Sequence, residues 1–161
     1  MIGRRSDESM FTLRSKLPKR VWRLPSERFD ANCMVGTVKQ DKRIMVWSCF
    51  CYDGVGLFHQ VKGIMDKHLY HGILQRKMFP SAKMLFGNND WIFMQDNDPK
   101  HKAEMNMRYS ENKNVNVLEW LAQYPNLNTI ENLWMTLMLK TKERKCRNED
   151  ELFRTLENAW N

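Results

Sequence analysis

The spacing of apolar residues changes after Gly63, and no other feature of the chain constrains its fold as strongly. Before that point apolar and β-branched residues come in short runs bounded by turn formers, as strands do. "RIMVWSCFCY" (43–52) is the strongest run, and Asp53-Gly54 turns the chain into "VGLFHQV", which predicts a hairpin. "DESMFTL" predicts an earlier strand from Asp7 to Leu13, and "RVWRLP" an edge strand stopped by Pro25. Beyond Gly63, Leu69, Tyr70, Ile73, Leu74 and Met78 recur at helical spacing, and Pro80 is expected to stop that helix. "WIFMQD" (91–96) is a short, continuous apolar strand of the kind buried on both faces. Asp98-Pro99 reads as the cap and first residue of a helix running to about Glu111, and "VNVL" (115–118) as another strand. Two helices follow. One carries Ile130, Leu133, Trp134, Leu137 and Met138 on one face. Asn148 and Glu151 form a capping pattern that opens the other, with Leu152, Phe153, Leu156 and Trp160 inward. Hairpins first and crossovers afterwards predict a mixed sheet covered by helices, an α/β fold.

At 161 residues the chain suits one domain with a single sizeable core, and 42% hydrophobic residues argue against disorder. No run approaches the roughly 18 apolar residues of a membrane span. The opening "MIGRRSDE" lacks the apolar core of a signal peptide, so an intracellular protein is expected. Cys33, Cys49, Cys51 and Cys146 form no CxxC pair and are expected to be reduced thiols. The net charge of +7 is uneven, because residues 1–50 hold eleven basic and five acidic residues. "KTKERKCR" (140–147) adds five basic residues against one acidic. Arg14, Lys16, Lys19, Arg20, Arg23, Lys140, Lys142, Arg144 and Lys145 are thus candidate contacts to a polyanion such as DNA, with ordinary solvated surface as the plain alternative.

Three carboxylates are candidates for a shared site. Asp96 should stand at the carboxyl end of its strand, where open α/β sheets bind ligands. Its neighbour Asp98 is sufficiently explained as a helix cap. Glu131 follows Asn128 by three residues, so it reads either as half of a capping box or as a side chain projecting into the same cleft. Asp7, alone, is a polar strand residue. Together the three would suit hard divalent cations, which take oxygen ligands and, in pairs, serve phosphoryl displacement.

The matching stretches are "SDES" (6–9), "RIMVWSCF" (43–50), "GVGLFHQVKGIMD" (54–66), "PSAKMLFG" (80–87), "WIFMQDNDPKH" (91–101), "VLEWLAQYPNLN" (117–128) and "IENLW" (130–134). In this order the chain closely resembles the catalytic domain of Tc/mariner superfamily transposases, in the branch with an Asp, Asp, Glu triad. Thirty-four residues separate Asp96 from Glu131, the separation typical of that branch. The resemblance implies a ribonuclease-H-like fold, with Asp7, Asp96 and Glu131 as catalytic, metal-binding residues. It implies two Mg2+ (or Mn2+) ions, and cleavage followed by strand transfer of DNA. Asn97 and His101 match positions beside the active site. DNA is the expected partner and the nucleus the expected location, with a homodimer left open and no membrane or small-molecule cofactor called for.

The sequence also departs from the family pattern. No counterpart of the family's N-terminal helix-turn-helix region is found, and Gly3-Arg4-Arg5 stands where apolar residues usually lead into the first strand. The loop before Glu131 reads Tyr124-Pro125-Asn126-Leu127-Asn128-Thr129 instead of Ser-Pro-Asp-Leu-Asn-Pro. The chain ends at Asn161, short of the family's tail. The expectation is one catalytic domain over 1–161, truncated at both ends and not autonomous in transposition. The alternative is an inactive, transposon-derived nucleic-acid-binding relic. Trp22, Trp47 and Trp134 are expected to pack in the core sooner than stack on bases.

Overall fold

Strand β1 (Ile2–Thr12) lies inside the sheet, flanked by β2 (Arg43–Cys51) on one side and β5 (Trp91–Met94) on the other. The computed structural model describes residues 2–13, 42–118 and 129–161. Short strands β3 (Gly54–Val55) and β4 (His59–Val61) both pair with β2, and β6 (Asn116–Leu118) extends the sheet beyond β5. The β1–β2 pair and the β2 hairpin partners are antiparallel, whereas β1–β5 and β5–β6 are parallel. The sheet is therefore mixed, as the order of hairpins and crossovers predicts. Among the described residues, no helix is long and apolar enough to cross a membrane.

Alternation along β2 divides the core between the two faces. Ile44 and Val46 join Phe11 of β1 under α4 (Ile130–Thr141) and α5 (Glu149–Trp160). Trp134 stacks on Trp160 at 5.0 Å between centroids, with Phe58 tilted against both. Trp160 Nε1 also donates to the carbonyl of Gly56 at 3.0 Å, which fastens the last helix to the hairpin. Trp47 and Cys49 face the other way, against α1 (Lys67–Ile73), the turn Leu74–Met78 and Phe93 of β5. Helices α2 (Phe79–Phe86) and α3 (Glu104–Asn112) complete that layer. Trp47 and Trp134 are thus core residues; Trp22 lies outside the described residues.

Several local expectations change. Pro80 does not stop the helix, which continues through α2 to Phe86. A proline removes one backbone bond and crowds the carbonyl four residues back. Here residues 74–78 form a wider π turn, and the Phe79 N–H reaches the Leu74 carbonyl, so the chain passes the proline without unwinding. Gly87, at φ 60°, then ends α2. Asp98 does not cap α3, which begins only at Glu104 behind Ala103. Its Oδ1 accepts from the Lys100 N–H at 3.0 Å and its carbonyl from the His101 N–H at 2.9 Å, making a separate tight turn. β1 begins at Ile2 and so includes Arg4 and Arg5; Arg5 Nη1 donates to Thr129 Oγ1 at 3.0 Å. Thr129 occupies the N-cap of α4 without a side-chain capping bond. Asn128 and the strand expected at "RVWRLP" lie outside the described residues. The Asn148 cap forms as expected, with Oδ1 accepting from the Glu151 N–H at 2.8 Å.

Candidate active site

The parallel register of β1 and β5 sets the site. Ile2 is level with Trp91 and Arg5 with Met94. The same register, carried past the end of β5, brings Asp96 level with Asp7. Asp7 lies opposite Ser48; Phe11, four residues on and so on the same face of β1, lies opposite Ile44, and Asp7 therefore belongs to the face covered by α4 and α5. Glu8 lies opposite Trp47 and belongs to the other face. The Glu8 N–H donates to Asp7 Oδ1 at 2.8 Å. Glu131 sits exposed in the first turn of α4, whose start is tied to β1 by the Arg5–Thr129 bond two residues before Asp7. All three carboxylates are therefore delivered to one end of the sheet, by a strand, a strand end and a helix start.

At this end of the sheet a histidine lies between two carboxylates. His101, 3% exposed, places Nδ1 at 2.5 Å from Asp96 Oδ1 and Nε2 at 3.2 Å from Glu8 Oε1. Its ring lies 4.1 Å from that of fully buried Tyr70. The Tyr70 hydroxyl donates to Gln95 Oε1 at 2.6 Å. The Asp98 N–H adds a second bond to Asp96 Oδ1 at 3.0 Å. Asp96 itself is half exposed, so one carboxylate oxygen is held from behind while the group faces solvent.

The electrostatics follow from these contacts. Burial pulls the His101 imidazole pKa down, but the bonds to Asp96 and Glu8 outweigh it and raise the value to about 9. Asp96 is lowered chiefly by the His101 bond, with burial opposing and the Asp98 N–H helping. Tyr70 is pushed well above its ordinary value by burial and by the negative Glu8 and Asp96. Lys100 pairs with Asp98 at 2.5 Å, which lowers the Asp98 carboxyl.

Among the described residues, no group of three or more His, Cys, Asp or Glu side chains is arranged to hold a metal ion. The donor chemistry nevertheless fits the divalent cations that the resemblance implies. Asp7, Asp96 and Glu131 offer only oxygen, are carried by elements that meet at one end of the sheet, and include two side chains open to solvent.

Asn97 lies exposed beside Asp96, and His101 is buried behind it. Lys140 is in the last turn of α4, with Lys142, Arg144 and Lys145 exposed just beyond. Cations at a helix C-terminus also complement its dipole, so their position serves stability as well as any anion. Arg14, Lys16, Lys19, Arg20 and Arg23 lie outside the described residues. Sequence reasoning missed Glu8 and Tyr70. The signal for Glu8 was its place beside Asp7 in a strand, which turns it to the opposite face. Nothing local links Tyr70 to His101.

A family profile described as a DDE superfamily endonuclease matches residues 4–153. The Tcb1 transposase of Caenorhabditis briggsae is 36% identical over 157 residues, which cover 96% of this chain and 57% of that protein. The Tc1 transposase of Caenorhabditis elegans is 35% identical over the same share of each. The chain thus spans a little over half the length of these relatives. Among solved structures, the Mos1 transposase paired-end complex with the left transposon end superposes with a TM-score of 0.78 at 18% identity, covering 98% of this chain and 47% of that one. The Mos1 transposase catalytic domain with Raltegravir and Mg gives 0.69 at 17% identity, covering 98% and 70%. These likenesses establish the ribonuclease-H-like fold.

Proposed function

This chain belongs to the DDE superfamily endonucleases alongside Tc1/mariner transposases, and from that premise we propose that residues 1–161 act as a metal-dependent DNA-cleaving and strand-transfer core in DNA transposition. The observation that carries the reading is the delivery of Asp7, Asp96 and Glu131 to one end of the sheet, from β1, the end of β5 and the first turn of α4. Asp7, Asp96 and Glu131 would hold the divalent ions, Mg2+ or Mn2+. Bound there, such ions supply charge that stabilises the attacking and leaving oxygens of a phosphodiester.

The chain's own residues do the rest. The apolar strand β5 and its pairing with β1 fix where Asp96 emerges. The Arg5–Thr129 bond ties the start of α4, and with it the turn that carries Glu131, to β1. Lys140, Lys142, Arg144 and Lys145 are exposed cations that would meet the phosphate backbone. DNA is the proposed partner, the nucleus the proposed location, and a homodimer the proposed assembly, to be checked by light scattering with and without DNA.

The test is cleavage of supercoiled plasmid by the purified chain in Mg2+ and in Mn2+, beside Asp96→Asn and Glu131→Gln. The expected result is metal-dependent nicking that falls at least about 100-fold in either variant, as loss of a group acting in the transition state does. Nicking equal in wild type and Asp96→Asn would overturn the reading. Salt-sensitive DNA binding with no cleavage in any condition would favour the inactive, DNA-binding alternative.

A further inference from the structure

His101 is buried between two carboxylates, and its contacts form a chain across the sheet. Asp7 and Glu8 are adjacent in β1 but face opposite ways. Asp7 belongs to the face where α4 brings Glu131. Glu8 lies on the face of Tyr70 and Trp47, only 12% exposed, and binds His101 Nε2 at 3.2 Å. Carboxylates only accept, so a ring bonded at both nitrogens donates through each. One N–H is spent on Glu8, and that aims the other at Asp96 Oδ1. Tyr70, anchored through Gln95, closes over the ring and removes its freedom to tilt. The tight turn made by Asp98 swings His101 into this position and adds its own N–H to the same oxygen. Neither bond falls on Asp96 Oδ2.

We propose that Glu8 and His101 are positioning residues for the site: Glu8 orients the His101 ring, and His101 holds Asp96 through Oδ1 so that Oδ2 is presented to the cation shared with Asp7 and Glu131. The inference rests on the metal-binding reading of Asp96. It assigns β1 two tasks, with Asp7 contributing directly and Glu8 acting from behind the sheet through another side chain. Groups that orient a metal ligand in this way typically govern affinity 10–100-fold when removed.

The experiment measures Mn2+ binding to the purified chain by electron paramagnetic resonance, with metal-free unfolding recorded for each variant to separate folding from binding. Wild type is compared with Asp96→Asn, His101→Ala, His101→Asn and Glu8→Ala. The amide nitrogen of asparagine can take the place of Nδ1 but cannot reach Glu8. His101→Ala should weaken Mn2+ binding about 10–100-fold, and His101→Asn should recover most of that loss. Glu8→Ala should weaken it about tenfold although the Glu8 side chain acts on Asp96 only through His101; the Glu8 N–H bond to Asp7 is kept in this variant. If His101→Ala does not fold, His101→Asn and Glu8→Ala decide. Wild-type affinity in folded Glu8→Ala or His101→Ala would overturn the proposal while leaving the metal site standing. No Mn2+ binding by wild type, or equal binding by Asp96→Asn, would overturn the metal-binding reading and the proposal with it.

Discussion

The two faces of the sheet are built on different principles. Under α4 and α5 the contacts are mainly apolar and aromatic: Phe11, Phe58, Trp134, Leu156 and Trp160 pack with edge, tilted and stacked geometry. Under α1, α2 and α3 the apolar core of Trp47, Ile73 and Phe93 is threaded by buried polar groups, among them Gln95, His101, Asn106 and Ser110. Asn106 alone binds the Lys67 and Lys100 carbonyls and His71. An apolar face gains stability in proportion to the area it hides, without directional bonds. A buried polar network tolerates little, since each group left unpaired is destabilising, and so it fixes geometry. The face that supports Asp96 is the one that specifies position.

The largest expected effect lies on the apolar face. Trp134→Ala should cost about 3–5 kcal/mol, read as a lower midpoint in urea unfolding, because it opens a cavity between Phe11 and Trp160. Trp134→Phe should cost much less. Its ring keeps the stack, and it removes a buried Nε1 that has no hydrogen-bond partner among the described residues. An equal loss in both variants would mean that the indole nitrogen finds a partner.

On the polar face His101→Ala should cost about 1–3 kcal/mol in the metal-free protein, because it leaves the largely buried Glu8 without its partner. The same network predicts a pH dependence. The His101 pKa stands at about 9, above the ordinary value of roughly 6.5 that holds when unfolded. The folded state therefore binds this proton more tightly, and the stabilisation is complete below about pH 6.5 and lost as pH rises through 9. Urea unfolding of the metal-free chain between pH 6 and 10 should show that decline in wild type and lack this component in His101→Asn. A parallel decline in both would assign it to other groups. The smallest effect is at the start of α5, where Asn148→Ala should cost about 1 kcal/mol and move neither metal binding nor the pH profile.

What the sequence revealed was what repeats or alternates. The apolar spacing of β2, α4 and α5, and the short run Trp91–Met94, identified those elements because burial itself imposes the period. The ordered motifs placed Asp7, Asp96 and Glu131 on elements that the structure brings to one end. What escaped is what the pattern of residue types does not encode. Pro80 is a helix breaker by rule, and only the π turn at 74–78 shows how the chain passes it. Asp98 carries the same side chain whether it caps a helix or a separate tight turn, and the choice rests on where α3 begins. Arg4 and Arg5 disguise the start of β1, because a central strand is expected to be apolar. Arg5 is accommodated at a sheet end where its guanidinium meets Thr129. The Glu8–His101 contact joins residues 93 apart and leaves no periodic trace.

The decisive measurement is thermal unfolding of the purified chain with and without saturating Mg2+ or Mn2+, beside Asp96→Asn and Glu131→Gln. If Asp7, Asp96 and Glu131 form one metal site, ion at about 100 times its dissociation constant should stabilise the wild type by roughly 2.7 kcal/mol. For a domain of this size that raises Tm by about 5–10 °C, and neither variant should show the rise. A cooperative transition whose Tm is unmoved by either ion, or moved equally in Asp96→Asn, would contradict a shared metal site at this end of the sheet.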